Sequence, residues 1–287
     1  MSLELFQVLD PGLGATVQDR GRVGWRRFGV PTSGAMDDHA AGWANRLLDN
    51  PLDAPVLEML LQGARFKVLR DVWVAVTGAE AEANVPVWRV CEVKTDEVIQ
   101  FPHNHSGMWI YLGVAGGIDA VRLLGSASVY PRGQLGHPLA KGDVVCAPVK
   151  SSFHLPPHVA GQSVAWDERR HYEAPPSLRL WPGPQWDFLD EPERERFFKE
   201  EWTITPQSDR VGYRLSGSAL ALRQTKIISE PALVGTVQVP ENGQPIVTMR
   251  DGPTVGGYPK LGVIDPSEVS WLAQCRPRQK IRFRPAA

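Results

Sequence analysis

Cysteine is scarce in this chain: Cys91, Cys146 and Cys275 are the three present, an odd number at unrelated spacings. They form neither a CxxC pair nor a disulfide framework, so a disulfide-stapled secreted domain is excluded and a reducing cytoplasm is the expected compartment. Charge of one sign is lacking too. Lys and Arg number 31 against 32 Asp and Glu, a formal net charge of -1 without blocks of like sign, which argues against nucleic acid as a partner. Nowhere do about 18 apolar residues run together, and MSLELFQVLDPG has no basic stretch before an apolar core, so neither export nor a membrane span is expected. The GxxxxGK[ST] phosphate loop is also missing, GDVVCAPVKSS having the wrong spacing.

What is present is a globular composition, 43% hydrophobic and 22% charged, over 287 residues, enough for two domains each with its own core. Gly 27 and Pro 25 suit many short strands and tight turns better than a helical bundle. RFKVL, VWVAV, MWIYLGVA, DVVCAPV, TVQVP and IRFR read as strands: short β-branched or aromatic runs bounded by turn formers. Two helices stand out. In MDDHAAGWANRLLDN, Asp37 and Asp38 suit a helix N-terminus, and Ala40, Trp43, Ala44, Leu47 and Leu48 form one apolar stripe. The other is DEPERERFFKEEW, opened by Asp190 and Pro192. Pro175 and Pro176 mark the expected boundary between residues 1–174 and 175–287.

The chain also echoes itself. RVGWRRFG from Arg22 matches RVGYRLSG from Arg210 at six positions, and Glu58 and Gly63 match Glu230 and Gly235. The stretch ending at Pro86 aligns with the one ending at Pro259. Three collinear matches predict a duplicated domain.

The segments TVQDRGRVGWRRFGVPTSGAMD, ANRLLDNP, VAGGI, SDRVGYRLSG, ISEPALVGTVQVPENGQPIV and PTVGGYPKLGVI closely resemble the family of C-type subunits of 5-oxoprolinase. That family is also called the Kip-inhibitor antagonist or allophanate hydrolase subunit 2 family, and is related to part of the carboxyltransferase region of urea carboxylase. The likeness runs from about Leu5 to Phe283. It implies a mainly β fold of two tandem cyclophilin-like β-barrel domains with a few short helices. It further implies subunits B and A as partners, with which the chain opens the lactam of 5-oxoproline to glutamate using ATP, and without which it is inactive. Two other roles stay open under the resemblance: a carboxyltransferase component, or a non-catalytic antagonist that binds a kinase inhibitor. Methionine precedes no lysine, so the Met-Lys signature of attached biotin is absent and biotin would arrive on another polypeptide. Ala127, Val129 and His137 depart from the family's arginine, threonine and arginine, and Gly252-Pro253 replaces Arg-Gln; these departures bear on the substrate.

Lactam opening needs cations for the substrate carboxylate and phosphoryl oxygens, donors for the oxyanion, and a carboxylate to orient water. The expected catalytic residues are Asp19, Asp209, Arg210, Glu230 and Tyr258. The expected binding residues are Gln18, Ser33, Asp37, Ser208, Arg214, Gln238, Gln244, Thr254, Gly256 and Gly257. Polar residues replaced in the other copy favour the C-terminal half: Thr254 faces Ala81, Tyr258 faces Val85 and Gln238 faces Phe66. Structural alternatives accompany them. Arg22, Arg210, Glu58 and Glu230 recur in both copies, as a shared turn or ion pair would require, and Asp37 suits a helix cap. Gly256 and Gly257 permit close backbone approach or merely a turn. His103 and His105 lack a third ligand at metal spacing and read as surface histidines.

Overall fold

A computed structural model describes residues 2–151, 153 and 155–286. The chain is mainly β, with three α-helices among the described residues, and divides into two compact units. The first comprises residues 1–22 and 33–172, the second residues 23–32 and 173–287. Segment 23–32 thus groups with the second unit, a discontinuity that a single boundary near Pro175 does not contain.

In the first unit two antiparallel sheets enclose the core. One orders strands Val98–Gln100, Ala64–Val68, Leu3–Pro11 and Val144–Ala147. The other orders Ala15–Gln18, Val56–Leu60, Asn104–Val114, Val72–Ala81 and Arg89–Val93. Alternation explains the first sheet: Ala64, Phe66 and Val68 face inward while Arg65 and Lys67 face out, and Phe6 pairs with Val68. The long central strand Asn104–Val114 is instead buried on both faces from Ile110 onward. Helix α1 (Asp38–Leu47) covers its outer side; a Cβ added at Gly113 would sit 3.2 Å from the Ala44 side chain. Thr77 Oγ1 donates to the Ala40 carbonyl at 2.7 Å and ties helix to sheet.

The second unit is built on an eight-stranded sheet, in the order Lys280–Ile281, Trp202–Ile204, Gly212–Ser216, Ile246–Thr248, Thr236–Gln238, Lys260–Ile264, Leu178–Pro182, Phe283–Pro285. The two edge strands are separated in sequence by Arg282 alone, so one stretch of chain reaches both edges and the sheet curls into a nearly closed barrel. Helix α2 (Glu191–Lys199) begins at Asp190, whose carboxylate accepts from Glu193 N at 3.0 Å, and packs Phe197 flat on Phe283 at 4.8 Å. Helix α3 (Pro266–Ala273) is one the strand-dominated sequence reading passed over, although Asp265 and Pro266 form an ordinary start signal.

The duplicated motif does not fold alike in its two places. Arg22–Gly29 forms a turn and a 3-10 helix over Arg26–Phe28, whereas Gly212–Ser216 of the second copy is a barrel strand. Arg22 holds the carbonyls of Leu123 and Ser128, whereas Arg210 grips the Asp251 carboxylate. Glu58 is buried in mid-strand, and Glu230 lies half-exposed on a two-residue strand.

Candidate functional site

Four candidates lie in the first unit, and the two carboxylates among them are engaged in holding the backbone. Asp19 accepts from Ser126 Oγ (2.5 Å), Ser128 Oγ (2.6 Å), Ala127 N (2.7 Å), Gly21 N (2.8 Å) and Arg122 Nη1 (3.3 Å). Burial opposes its charge, but the Ser126, Ser128, Ala127 and Gly21 hydrogen bonds prevail and hold its pKa below the ordinary value. Asp37 caps α1, accepting from Ala40 N at 3.1 Å and from Tyr172 Oη at 2.8 Å. Tyr111 Oη accepts from Asp37 N and donates to Glu58 Oε2, each at 2.8 Å, and burial followed by the Glu58 and Asp37 charges raises its pKa well above normal. Gln18 Nε2 donates to Thr16 Oγ1 and the Val129 carbonyl. Ser33 is fully buried at a left-handed φ of 55°. Gln18 Oε1 and Ser33 Oγ have no hydrogen-bond partner among the described residues.

In the second unit the turn residues explain themselves locally. Asp209 Oδ1 accepts from Val211 N and Gly212 N, Ser208 Oγ from Arg214 N, and the Gln244 amide brackets both backbone groups of Gly217. Arg214 is exposed. Arg210 makes a paired contact to Asp251, at 2.7 and 3.2 Å, so its guanidinium fork is already engaged. Thr254 lends its carbonyl to Ala232 N, Gly257 has ordinary space around it, and Tyr258 is 44% exposed.

Glu230, Gln238 and Gly256, by contrast, meet. Cross-strand register sets Glu230 opposite Gly256 and Gln238 opposite Lys260. A side chain on Gly256 would meet Gln238 Oε1 and oblige that amide to move, and Gln238 Nε2 donates to Thr248 Oγ1 at 2.8 Å. Lys260, absent from the sequence-derived site, is 5% exposed and places Nζ 2.8 Å from Glu230 Oε2. Gln185 completes the group: its Nε2 lies 3.4 Å from Glu230 Oε2 and its Oε1 accepts from Lys260 N at 3.1 Å. Lys260 holds the Glu230 pKa below its ordinary value despite partial desolvation. Lys260 and Glu230 open onto a cavity of about 260 Å³ whose other walls are Gly183, Pro184, Pro231, Leu233, Thr236, Gly262 and Val263. Arg210 and Tyr258, both expected among the catalytic residues, are not among these walls. The sequence offered one signal for Lys260, a lysine inside an apolar strand run.

A larger cavity, about 590 Å³, lies in the first unit between the Leu48–Pro55 and Gly116–Arg122 segments. Its charged groups are Asp49, Asp53, Asp119, Arg122 and Lys150, and Arg122 already pairs with Asp19. Carboxylates outnumber cations there, and the smaller cavity has one cation. Two of the thiols are held protonated, burial pushing Cys275 up to about 12 and Cys91 up to about 11. His105 pairs with Glu82 on the surface, and no metal-binding cluster occurs among the described residues.

The model of the carboxyltransferase domain, subdomain A and B, matches residues 28–285. The chain belongs to this family. It is 34% identical to the C-type subunit of 5-oxoprolinase from Escherichia coli over 97% of its own length and 90% of that protein. The crystal structure of TTHA0988 superimposes with a TM-score of 0.87 at 32% identity, covering 98% of this chain and 56% of that one. The urea carboxylase of Kluyveromyces lactis gives 0.89 at 27% identity, covering all of this chain and 28% of that one. The chain therefore spans little more than half of the TTHA0988 chain. Among the described residues no helix is long and apolar enough to cross a membrane.

Proposed function

We propose that this chain is the C-type subunit of an ATP-dependent 5-oxoprolinase, working in the cytoplasm with subunits A and B to open 5-oxoproline to glutamate. The observation that supports this reading most is the near end-to-end likeness to the Escherichia coli C-type subunit, at 34% identity. The second unit's cavity is the place of action in this reading, with Glu230 retained from the sequence and Lys260 added in its wall, and with Gln185, Gln238 and Gly256 next to that pair but outside the lining. What the chain supplies is positioning: a buried ammonium for an anionic group, and the Gln185 and Gln238 amides beside it. Glu230 and Thr236 line the cavity with Lys260, and a partner subunit completes the catalytic set in this reading. ATP is shared with a partner subunit in this reading, the two cavities supplying few cations for its phosphates.

The carboxyltransferase alternative is favoured by the family model and by the 29% identity to yeast urea amidolyase, of which this chain covers 16%. One reconstitution separates the two. The three subunits with ATP and 5-oxoproline are assayed for glutamate, and this chain with a carboxybiotin carrier and urea for carboxyl transfer. Glutamate formed only when all three subunits are present supports the proposal; carboxyl transfer without glutamate replaces it.

A further inference from the structure

Lys260 is a charged side chain buried in a wall of apolar groups. Such burial is unfavourable unless the charge is paired and its donors satisfied. The pairing here is incomplete. Glu230 approaches at 2.8 Å outside hydrogen-bond geometry, and Nζ has no acceptor in that geometry among the described residues. The two partners are also unlike in their surroundings, the Lys260 side chain being 7% exposed and that of Glu230 41%. Glu230 sits on a two-residue strand at the cavity mouth and can turn to water at little cost, whereas Lys260 is fixed on a barrel strand. The space beside them is tight and apolar. Pro184, Pro231, Leu233 and Val263 form its sides, and glycine backbone its floor: a Cβ at Gly183 would come within 2.7 Å of the Lys260 carbonyl. Its roughly 260 Å³ falls just below the ~300–1,000 Å³ of pockets for drug-sized ligands.

The geometry points to a binding site for a small carboxylate with an apolar body, whose carboxylate displaces Glu230 from Lys260. Glu230 is then a built-in competitor that keeps the ammonium paired when the site is empty. A small ring bearing one carboxylate belongs to this ligand class. The inference rests on the proposed function for the identity of the natural ligand, and on the cavity alone for the class.

Isothermal titration of the full chain with cyclopentanecarboxylate and with cyclopentanecarboxamide, its uncharged counterpart, tests this. The carboxylate binds saturably and the amide at least about tenfold more weakly, since only the former makes a charge-assisted contact to Lys260. Glu230→Gln, at a half-exposed position that leaves the fold intact, tightens carboxylate binding about two- to fivefold by removing a surface-strength competitor. Lys260→Met abolishes the preference for the acid. Equal affinity for acid and amide, weaker binding by Glu230→Gln, or no binding to either protein overturns the inference. Loss of 5-oxoproline turnover in the reconstituted complex with this binding intact refutes the proposed function alone.

Discussion

Replacing Asp19 by Asn leaves nearly all atoms in place and removes one acceptor, which makes the outcome calculable. Oδ1 accepts from two hydroxyls and Gly21 N, and Oδ2 from Ala127 N and Arg122. Serine hydroxyls can rotate away from a new amide N–H, but a backbone N–H cannot. Whichever way the amide turns, Gly21 N or Ala127 N faces a donor. A buried donor left unpaired costs about 1–3 kcal/mol, and the remaining bonds lose their charge assistance, so a total near 3 kcal/mol is expected. For a domain of this size each kcal/mol lowers Tm by about 2–4 °C, giving a drop of roughly 6–12 °C by differential scanning calorimetry at pH 7. The pH dependence supplies a second signature. Because the folded pKa of Asp19 is depressed, its contribution is fully present above the ordinary carboxylate value of 3.8 and fades as pH falls through the folded pKa. The Tm gap between the two proteins therefore closes only in that acid range. An unchanged Tm with lost turnover in the reconstituted complex would refute this structural assignment and return Asp19 to chemistry.

Arg210→Lys loses the fork on Asp251, so a stability decrease of about 1–3 kcal/mol by urea titration is expected, with turnover per folded molecule unchanged. Gly256→Ala displaces Gln238 and weakens carboxylate binding, whereas Gly257→Ala, whose nearest neighbours lie at 3.5 Å, leaves it as it was; calorimetric titration of both variants checks the contrast. Cys275, buried with its thiol pushed up to about 12, reacts with iodoacetamide only after unfolding; native labelling followed by mass spectrometry checks this.

The sequence by itself determined the local structure well wherever short-range physics decides it. TVQVP and VWVAV became strands, and the capped, amphipathic MDDHAAGWANRLLDN became α1 with Asp37 in the capping role that its position suggested. Long motifs also made the family legible. The internal echo did not carry over to local conformation: Arg-Val-Gly-aromatic-Arg suits a turn with a 3-10 helix as well as a turn with a strand, and the neighbours of each copy chose between them. Only the tertiary structure separated charges that hold the backbone from charges that face a cavity. Asp19 and Arg210 looked as reactive in sequence as Glu230, because a carboxylate or guanidinium reads the same whether its partners are backbone groups or a ligand. Lys260 was missed because its partner lies thirty residues away and meets it through the pairing of Glu230 with Gly256 and of Gln238 with Lys260. Alternation along a strand says which face a residue takes; strand register, set by the whole barrel, says whom it meets there.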